Sequence, residues 1–238
     1  MALWIFAGLV SGFIKGLCGV GDAPVFAAIM SFAHNNVDIS PVSLLPSFPI
    51  NLYMTWQNRR SLQRNIWLPM GLLLVAGCIP GTLLLKNADT GTLKMIFGIF
   101  ITLVGILMLH NELTHRKVTP SRILLIFIGI LAGLCSGLFG VGILLAVYVS
   151  MSTDDMSAFK GNICAIFAFE NVARLIMYAC LGLFTPLVFR RALLVTPFIL
   201  IGLFCGQKAS QFLDESKAKI AVDVVMIISG LAILITNL

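Results

Sequence analysis

Gly12-Phe13-Ile14-Lys15-Gly16-Leu17-Cys18-Gly19-Val20-Gly21, read beside Gly133-Leu134-Cys135-Ser136-Gly137-Leu138-Phe139-Gly140-Val141-Gly142, decides the fold. Gly12, Gly16, Gly19 and Gly21 fall on Gly133, Gly137, Gly140 and Gly142 at a constant offset of 121. The match continues along the chain. Asn51 meets Asn171 at offset 120, and Gly81, Asp89, Lys94 and Gly105 meet Gly206, Asp214, Lys219 and Gly230 at offset 125. A correspondence that drifts by only a few positions over a whole half is the mark of a duplicated unit. The reading divides the chain into a first membrane repeat at 1–110, a polar linker at 111–122 and a second membrane repeat at 123–238.

Both glycine stretches lie inside long apolar runs. The apolar runs cover 2–33, 41–57, 67–85, 95–109, 123–150, 157–183, 189–206 and 218–236. Of the 238 residues 59% are hydrophobic and 11% charged, whereas a soluble domain carries roughly a quarter of its residues as charged side chains. Such a chain cannot cover itself with a hydrated surface, which excludes a soluble enzyme. A span takes about 20 apolar residues, so the expectation is an all-α integral membrane protein. The first apolar segment has no basic leader and is read as retained. The six cysteines sit in apolar runs without a CxxC pair or a histidine at ligand spacing, so neither a metal nor a cofactor is expected.

The net charge of +6 is not a nucleic-acid footprint. Most of the basic residues gather in the short connections 57–66, 110–122, 189–191 and 207–219, as cytoplasmic loops do, without the interleaved aromatics of a stacking platform. If every apolar run crosses the membrane, the loop charges divide almost evenly between the two faces. If the two glycine-broken runs instead turn back to their own side, loops 57–66, 110–122, 151–160 and 207–219 share one strongly basic face. The second arrangement obeys the positive-inside tendency better. It gives each half a glycine-broken re-entrant hairpin plus three transmembrane helices, an odd number of crossings, and so makes the halves two inverted repeats.

Gly16-Leu17-Cys18-Gly19-Val20-Gly21-Asp22 and Gly137-Leu138-Phe139-Gly140-Val141-Gly142-Ile143 resemble the duplicated glycine signature of the TauE/SafE sulfite-exporter family. Asn171-Val172-Ala173-Arg174-Leu175-Ile176-Met177-Tyr178, with Gly182 after it, is similar to that family's Asn-x-x-Arg-x-x-x-Tyr stretch. The family usually continues its motif with further glycines; this chain has Asp22-Ala23-Pro24 and Ile143-Leu144-Leu145. The resemblance implies export or uptake of small sulfur-containing anions such as sulfite, thiosulfate or sulfonates, in a bacterial inner membrane.

Residue chemistry leads in the same direction. Glycine allows a helix to break and a ligand to approach the backbone, and a break at membrane depth is tolerated where it lines a cavity. Amide groups opening the next half-helix attract anions, so Gly19, Gly21, Gly140 and Gly142 are candidate substrate-binding positions. Gly12-xxx-Gly16 and Gly133-xxx-Gly137 serve either that purpose or close helix packing. Glu170 and Arg174 share one helix face in an apolar run. They either neutralise each other, or Arg174 faces the anion through its planar donors while Glu170 tunes it or carries a coupling proton. Asn51 and Asn171 add amides from both halves. Lys15 supplies positive charge to the pathway or snorkels to the interface; Asp22 caps a half-helix or relays protons. Asp223 is a further charge in the last run.

The sequence has no zinc-protease motif, nucleophile elbow or Walker A, so the expected function is secondary transport rather than catalysis. Substrate would bind at the midplane between the two glycine-broken helices, with access alternating between the two sides. A passive anion channel or a membrane-embedded partner subunit is the alternative. The partners expected are a small anion and the bilayer, with a homodimer left open and no nucleic acid.

Overall fold

The computed structural model describes residues 1–31, 33–34, 36–87, 90–114, 122–142, 144–153, 155–210 and 212, with scattered positions between 220 and 235. Asp89, Asp214, Asp223, Ile143 and the linker residues 115–121 lie outside the described residues, as does much of the last apolar run. The described residues form helices and connections, with no strand among them. The expectation of an all-helical chain with membrane-crossing helices is met.

The two glycine stretches break their helices in the same way. Helix α1 (Ala2–Cys18) stops at Gly19, whose φ of 81° lies in the left-handed region and whose N–H donates to the Lys15 carbonyl at 2.8 Å. Helix α6 (Arg122–Phe139) stops at Gly140, with φ 76° and a 2.8 Å bond to the Ser136 carbonyl. A side chain at either position would strain that turn, whereas glycine adopts it freely. The following helices are short: α2 (Asp22–Ser31) has 10 residues and α7 (Leu144–Ser152) has 9. At ~1.5 Å per residue each reaches about half of a ~30 Å hydrocarbon core.

The remaining helices are α3 (Asn36–Gln57), α4 (Arg64–Asn87), α5 (Thr90–Thr114), α8 (Met156–Cys180) and α9 (Pro186–Ala209), with a 3-10 turn at Arg59–Ser61 before α4. Asp155 caps α8 by accepting the Ala158 N–H at 2.7 Å. Thr185 caps α9, and Pro186 opens it where a missing N–H costs nothing. Among the described residues, Arg64–Leu85, Met156–Cys180 and Pro186–Ala209 are long and apolar enough to cross a membrane by length and composition. Exposed Leu72, Ile79, Leu83, Ile176, Leu193 and Phe204 on these helices would be costly in water and suit contact with lipid.

The chain forms two compact units, each drawing on both sequence halves. Unit 1 comprises residues 1–43, 88–116 and 185–238; unit 2 comprises 44–87 and 117–184. In unit 1, α1 packs along α9. A methyl group added at Gly12 or Gly16 would strike the Ile199 or Leu203 carbonyl, and one at Gly202 or Gly206 would strike the Leu9 or Phe13 carbonyl. In unit 2, α6 packs along α4. There Gly133 and Gly137 press on the Leu74 and Cys78 carbonyls, and Gly77 and Gly81 on those of Ile130 and Leu134. Every pair in one seam corresponds to a pair in the other at the offsets of 121 and 125 found in the sequence. Rising numbers on one helix meet rising numbers on the other, so each pair is parallel. These contacts assign Gly12, Gly16, Gly133 and Gly137 to close backbone packing, the membrane use of small residues.

Candidate functional site

Unit 2 gathers its buried polar groups around Glu170. Phe169 meets Gly71 and the Trp67 ring, and Asn162 accepts the Gln63 N–H at 3.0 Å, so α8 runs parallel to α4. The glycine seam between α4 and α6 brings Cys78 and Ser136 to the same level. Ser136 Oγ donates to Glu170 Oε1 at 2.9 Å, and Cys78 Sγ donates to the same oxygen at 3.4 Å. Thr82 Oγ1 lies 3.6 Å from the Cys78 sulfur. One carboxylate oxygen thus receives donors from two neighbouring helices.

Arg174, one turn further along α8, places Nε 3.5 Å from Glu170 Oε1. Its Nη2 donates to the Tyr178 hydroxyl at 3.0 Å, and its guanidinium carbon lies 5.2 Å from the centre of the Tyr178 ring. Glu170, Arg174 and Tyr178 are all buried. A buried ion pair on one helix lowers the cost of both charges but leaves most of the guanidinium's donors to be satisfied elsewhere. Among the described residues, Arg174 Nε makes no hydrogen bond, and neither does Asn171 Nδ2.

Helix α3 contributes to the same unit. Its C-terminal end, at Asn58, meets Ser157 and Gly161 near the start of α8, and Met54 meets Cys164 at 4.0 Å. The two helices are therefore antiparallel, and Asn51 lies on the stretch of α3 that continues toward the middle of α8. Asn51 is 3% exposed, yet its Oδ1 has no partner, and the buried Thr55 Oγ1 one turn away has none either. Each unsatisfied group of this kind costs about 1–3 kcal/mol, and native proteins keep few of them. Four lie in unit 2, on α3 and α8: Asn51, Thr55, Asn171 and Arg174.

Unit 1 handles its charges differently. Lys15, in the last turn of α1, is 1% exposed and donates to Asp22 Oδ1 at 3.2 Å across the break. Lys15 does not snorkel; it is buried and its charge is matched by Asp22 in the next helix. Asp22 stands in the first turn of α2, where the helix dipole favours a carboxylate. Gly21 has φ 97°, whereas its counterpart Gly142 is outside the left-handed region and faces the Phe167 ring.

The structure thus places Asn51, Asn171, Glu170, Arg174, Gly140 and Gly142 in unit 2, and Lys15, Gly19, Gly21 and Asp22 in unit 1. Sequence reasoning gave no role to Cys78, Ser136 or Thr55, and named Tyr178 only as part of the stretch that resembles the family's. Tyr178 carried a signal, standing one turn beyond Arg174 and two beyond Glu170 on the same face. The other three are small polar residues in apolar runs, and nothing local distinguishes them. Among the described residues, no group of three His, Cys, Asp or Glu side chains could hold a metal ion.

Known proteins bear on this arrangement at two levels. A probable membrane transporter protein from Methanocaldococcus jannaschii is 28% identical over 159 residues, a stretch covering 60% of this chain and 58% of that protein. The matched stretch therefore spans less than two thirds of that curated relative. No solved structure matches the chain. The family model for the sulfite exporter TauE/SafE matches residues 4–233, which takes in both glycine seams, both breaks and the Glu170–Arg174 cluster. By that match the chain belongs to the TauE/SafE sulfite exporter family.

Proposed function

We propose that the protein is a secondary membrane transporter for small sulfur-containing oxyanions such as sulfite, thiosulfate or sulfonates, and that unit 2 holds its substrate site. The observation that carries this reading is the set of unsatisfied polar groups buried on α3 and α8 of unit 2. Arg174 Nε and Asn171 Nδ2 are donors, the Thr55 hydroxyl rotates to donate, and the Asn51 amide can turn either end to a ligand. Donors without partners around a buried guanidinium suit a tetrahedral or pyramidal oxyanion. An incoming anion competes with the Glu170 carboxylate for Arg174. A proton on Glu170 removes that competitor, which couples substrate binding to protonation and gives an alternating-access cycle its driving ion. The family and the relative's name support transport; the choice of anion rests on the donor set and on the family.

Two features support reading the glycine-broken segments as re-entrant hairpins. In unit 1, the ring of His34, beyond the end of α2, lies 4.9 Å from that of Trp4 in the first turn of α1. In unit 2, α4, α6 and α8 run parallel, so the chain that enters along α6 must return before α8 begins. Cysteines introduced at positions 63, 153 and 183 test this by labelling from either side of sealed vesicles. The hairpin reading expects 63 and 153 on one face and 183 on the other. Full crossings would group 63 with 183 instead.

Transport is tested in reconstituted vesicles, with labelled sulfite, thiosulfate and a sulfonate, with and without a pH gradient. Saturable, gradient-dependent uptake of at least one anion is expected, with a loss of about 100-fold in Arg174→Ala, on the order of a removed charged contact. Glu170→Gln should keep downhill exchange and lose its response to the gradient. Equal flux in wild type, Arg174→Ala and empty vesicles for every anion would sink the proposal, and non-saturating flux would make the protein a channel.

A further inference from the structure

Unit 1 contains a cavity of about 350 Å³ at the end where α1 and α9 begin. Its shape follows from the local sequence. Thr185 and Pro186 fix the first turn of α9, which puts Leu187, Arg190, Arg191 and Leu194 at the spacing of a single helical face. All four line the cavity, facing Trp4 of α1 and His34 beyond α2. The Arg191 guanidinium lies 5.1 Å over the Trp4 ring, and the Trp4 ring is in turn 4.9 Å from His34.

The charge here is uncompensated. Lys15 in unit 1 and Arg174 in unit 2 each have a carboxylate partner, whereas among the described residues neither Arg190 nor Arg191 has one. Two adjacent guanidinium groups on one wall repel each other, and the first-turn amides of α9 add the positive end of that helix's dipole. An anion held between them removes the repulsion. Leucines at both ends of the stripe and the face of Trp4 offer an apolar surface beside the charged one. The volume falls at the low end of small-molecule pockets, about 300–1,000 Å³, and exceeds what a bare oxyanion fills.

We propose that this cavity is a second anion site, separate from Arg174, which takes an oxyanion head group carried on an apolar body. Two sources share that chemistry: a soluble organic sulfonate, and the phosphate of an anionic lipid. Arg190 and Arg191 hold the head group, and Trp4 with the leucines covers the apolar part.

Trp4 provides the readout, since the chain has three tryptophans and Trp56→Phe with Trp67→Phe leaves Trp4 alone. This variant is placed in nanodiscs of phosphatidylcholine and titrated with 1-butanesulfonate. A parallel series raises the phosphatidylglycerol fraction with no sulfonate present. The expected result is a saturable change in Trp4 emission in at least one series. The midpoint should move at least about 10-fold in Arg190→Gln/Arg191→Gln, the loss of one charged contact or more, and stay unchanged in Arg174→Gln. Saturation by the sulfonate identifies a soluble anion, and saturation by phosphatidylglycerol alone identifies a lipid head group. Arg190→Gln by itself, at an exposed position with no partner among the described residues, guards against a folding defect and should weaken binding in the same direction. No saturable change with either probe, or identical midpoints with and without the arginines, would overturn the proposal. A failed transport assay leaves this outcome untouched, because binding is read in unit 1 and Arg174 takes no part in it.

Discussion

Position 15 in unit 1 and position 136 in unit 2 correspond in the repeat, and the two units use them in opposite ways. Lys15 is a buried charge that reaches across its own break to Asp22. Ser136 is a neutral hydroxyl that leaves its break alone and reaches to Glu170 on a neighbouring helix. Around both, the packing is the same: parallel helices, paired glycines pressing on backbone carbonyls, and a left-handed glycine one residue past the helix end. What the two units share is therefore their backbone seam, and their polar groups on top of it differ. Unit 1 pairs Lys15 with Asp22 across its break; unit 2 leaves Arg174 Nε and Asn171 Nδ2 without hydrogen-bond partners.

The largest effect should come from breaking what the units share. Leucine at Gly137 or at Gly16 would force two backbones apart, beyond the ~1–3 kcal/mol of ordinary overpacking. Either variant should lose most of its monodisperse protein in size-exclusion chromatography, and by a similar amount. A large loss in one unit and tolerance in the other would mean that the seams are not equivalent.

The charge pair of unit 1 comes next. Lys15→Met leaves Asp22, which is 15% exposed, without its partner and should cost about 2 kcal/mol, read as a lower unfolding temperature in detergent. Lys15→Met with Asp22→Leu removes both charges and should recover most of that loss while retaining Arg174-dependent uptake. A stable double variant without uptake would place the pair in the transport path and erase the contrast between the units.

Ser136→Ala should have the smallest effect, about 1 kcal/mol for one hydrogen bond between membrane helices. Its consequence should appear in uptake rather than stability, because Glu170 then loses a donor and binds Arg174 more strongly. An apparent KM for the anion that rises several-fold, with little change in unfolding temperature, is the expected pattern. Unchanged uptake would mean that Ser136 serves only to join α6 to α8.

What could be read in the sequence follows from how far each signal had to travel. The breaks at Gly19 and Gly140 were legible because a helix stop is a local event, set by a few consecutive residues. Glu170, Arg174 and Asn171 were legible because polar groups are conspicuous in an apolar run. The role of Gly12 and Gly16 stayed open, since a glycine that packs and a glycine that binds look alike until the facing helix is known. That helix is α9, nearly the whole chain away. Cys78 and Ser136 were hidden for the same reason: they meet Glu170 only when α4, α6 and α8 come together. Asp22 was read as a cap or a relay, and its lysine partner emerged only from the geometry of the turn.

The glycine seams also set a timetable for synthesis. Unit 2 has all its parts once residue 184 has been made, whereas α1 has α2 beside it but not α9 until most of the chain has followed. For that interval α1 and α2 must hold a lysine inside an apolar stretch without the cover of α9. The Lys15–Asp22 bridge lies wholly within those two helices, so they can neutralise their own charge before α9 arrives to shelter it.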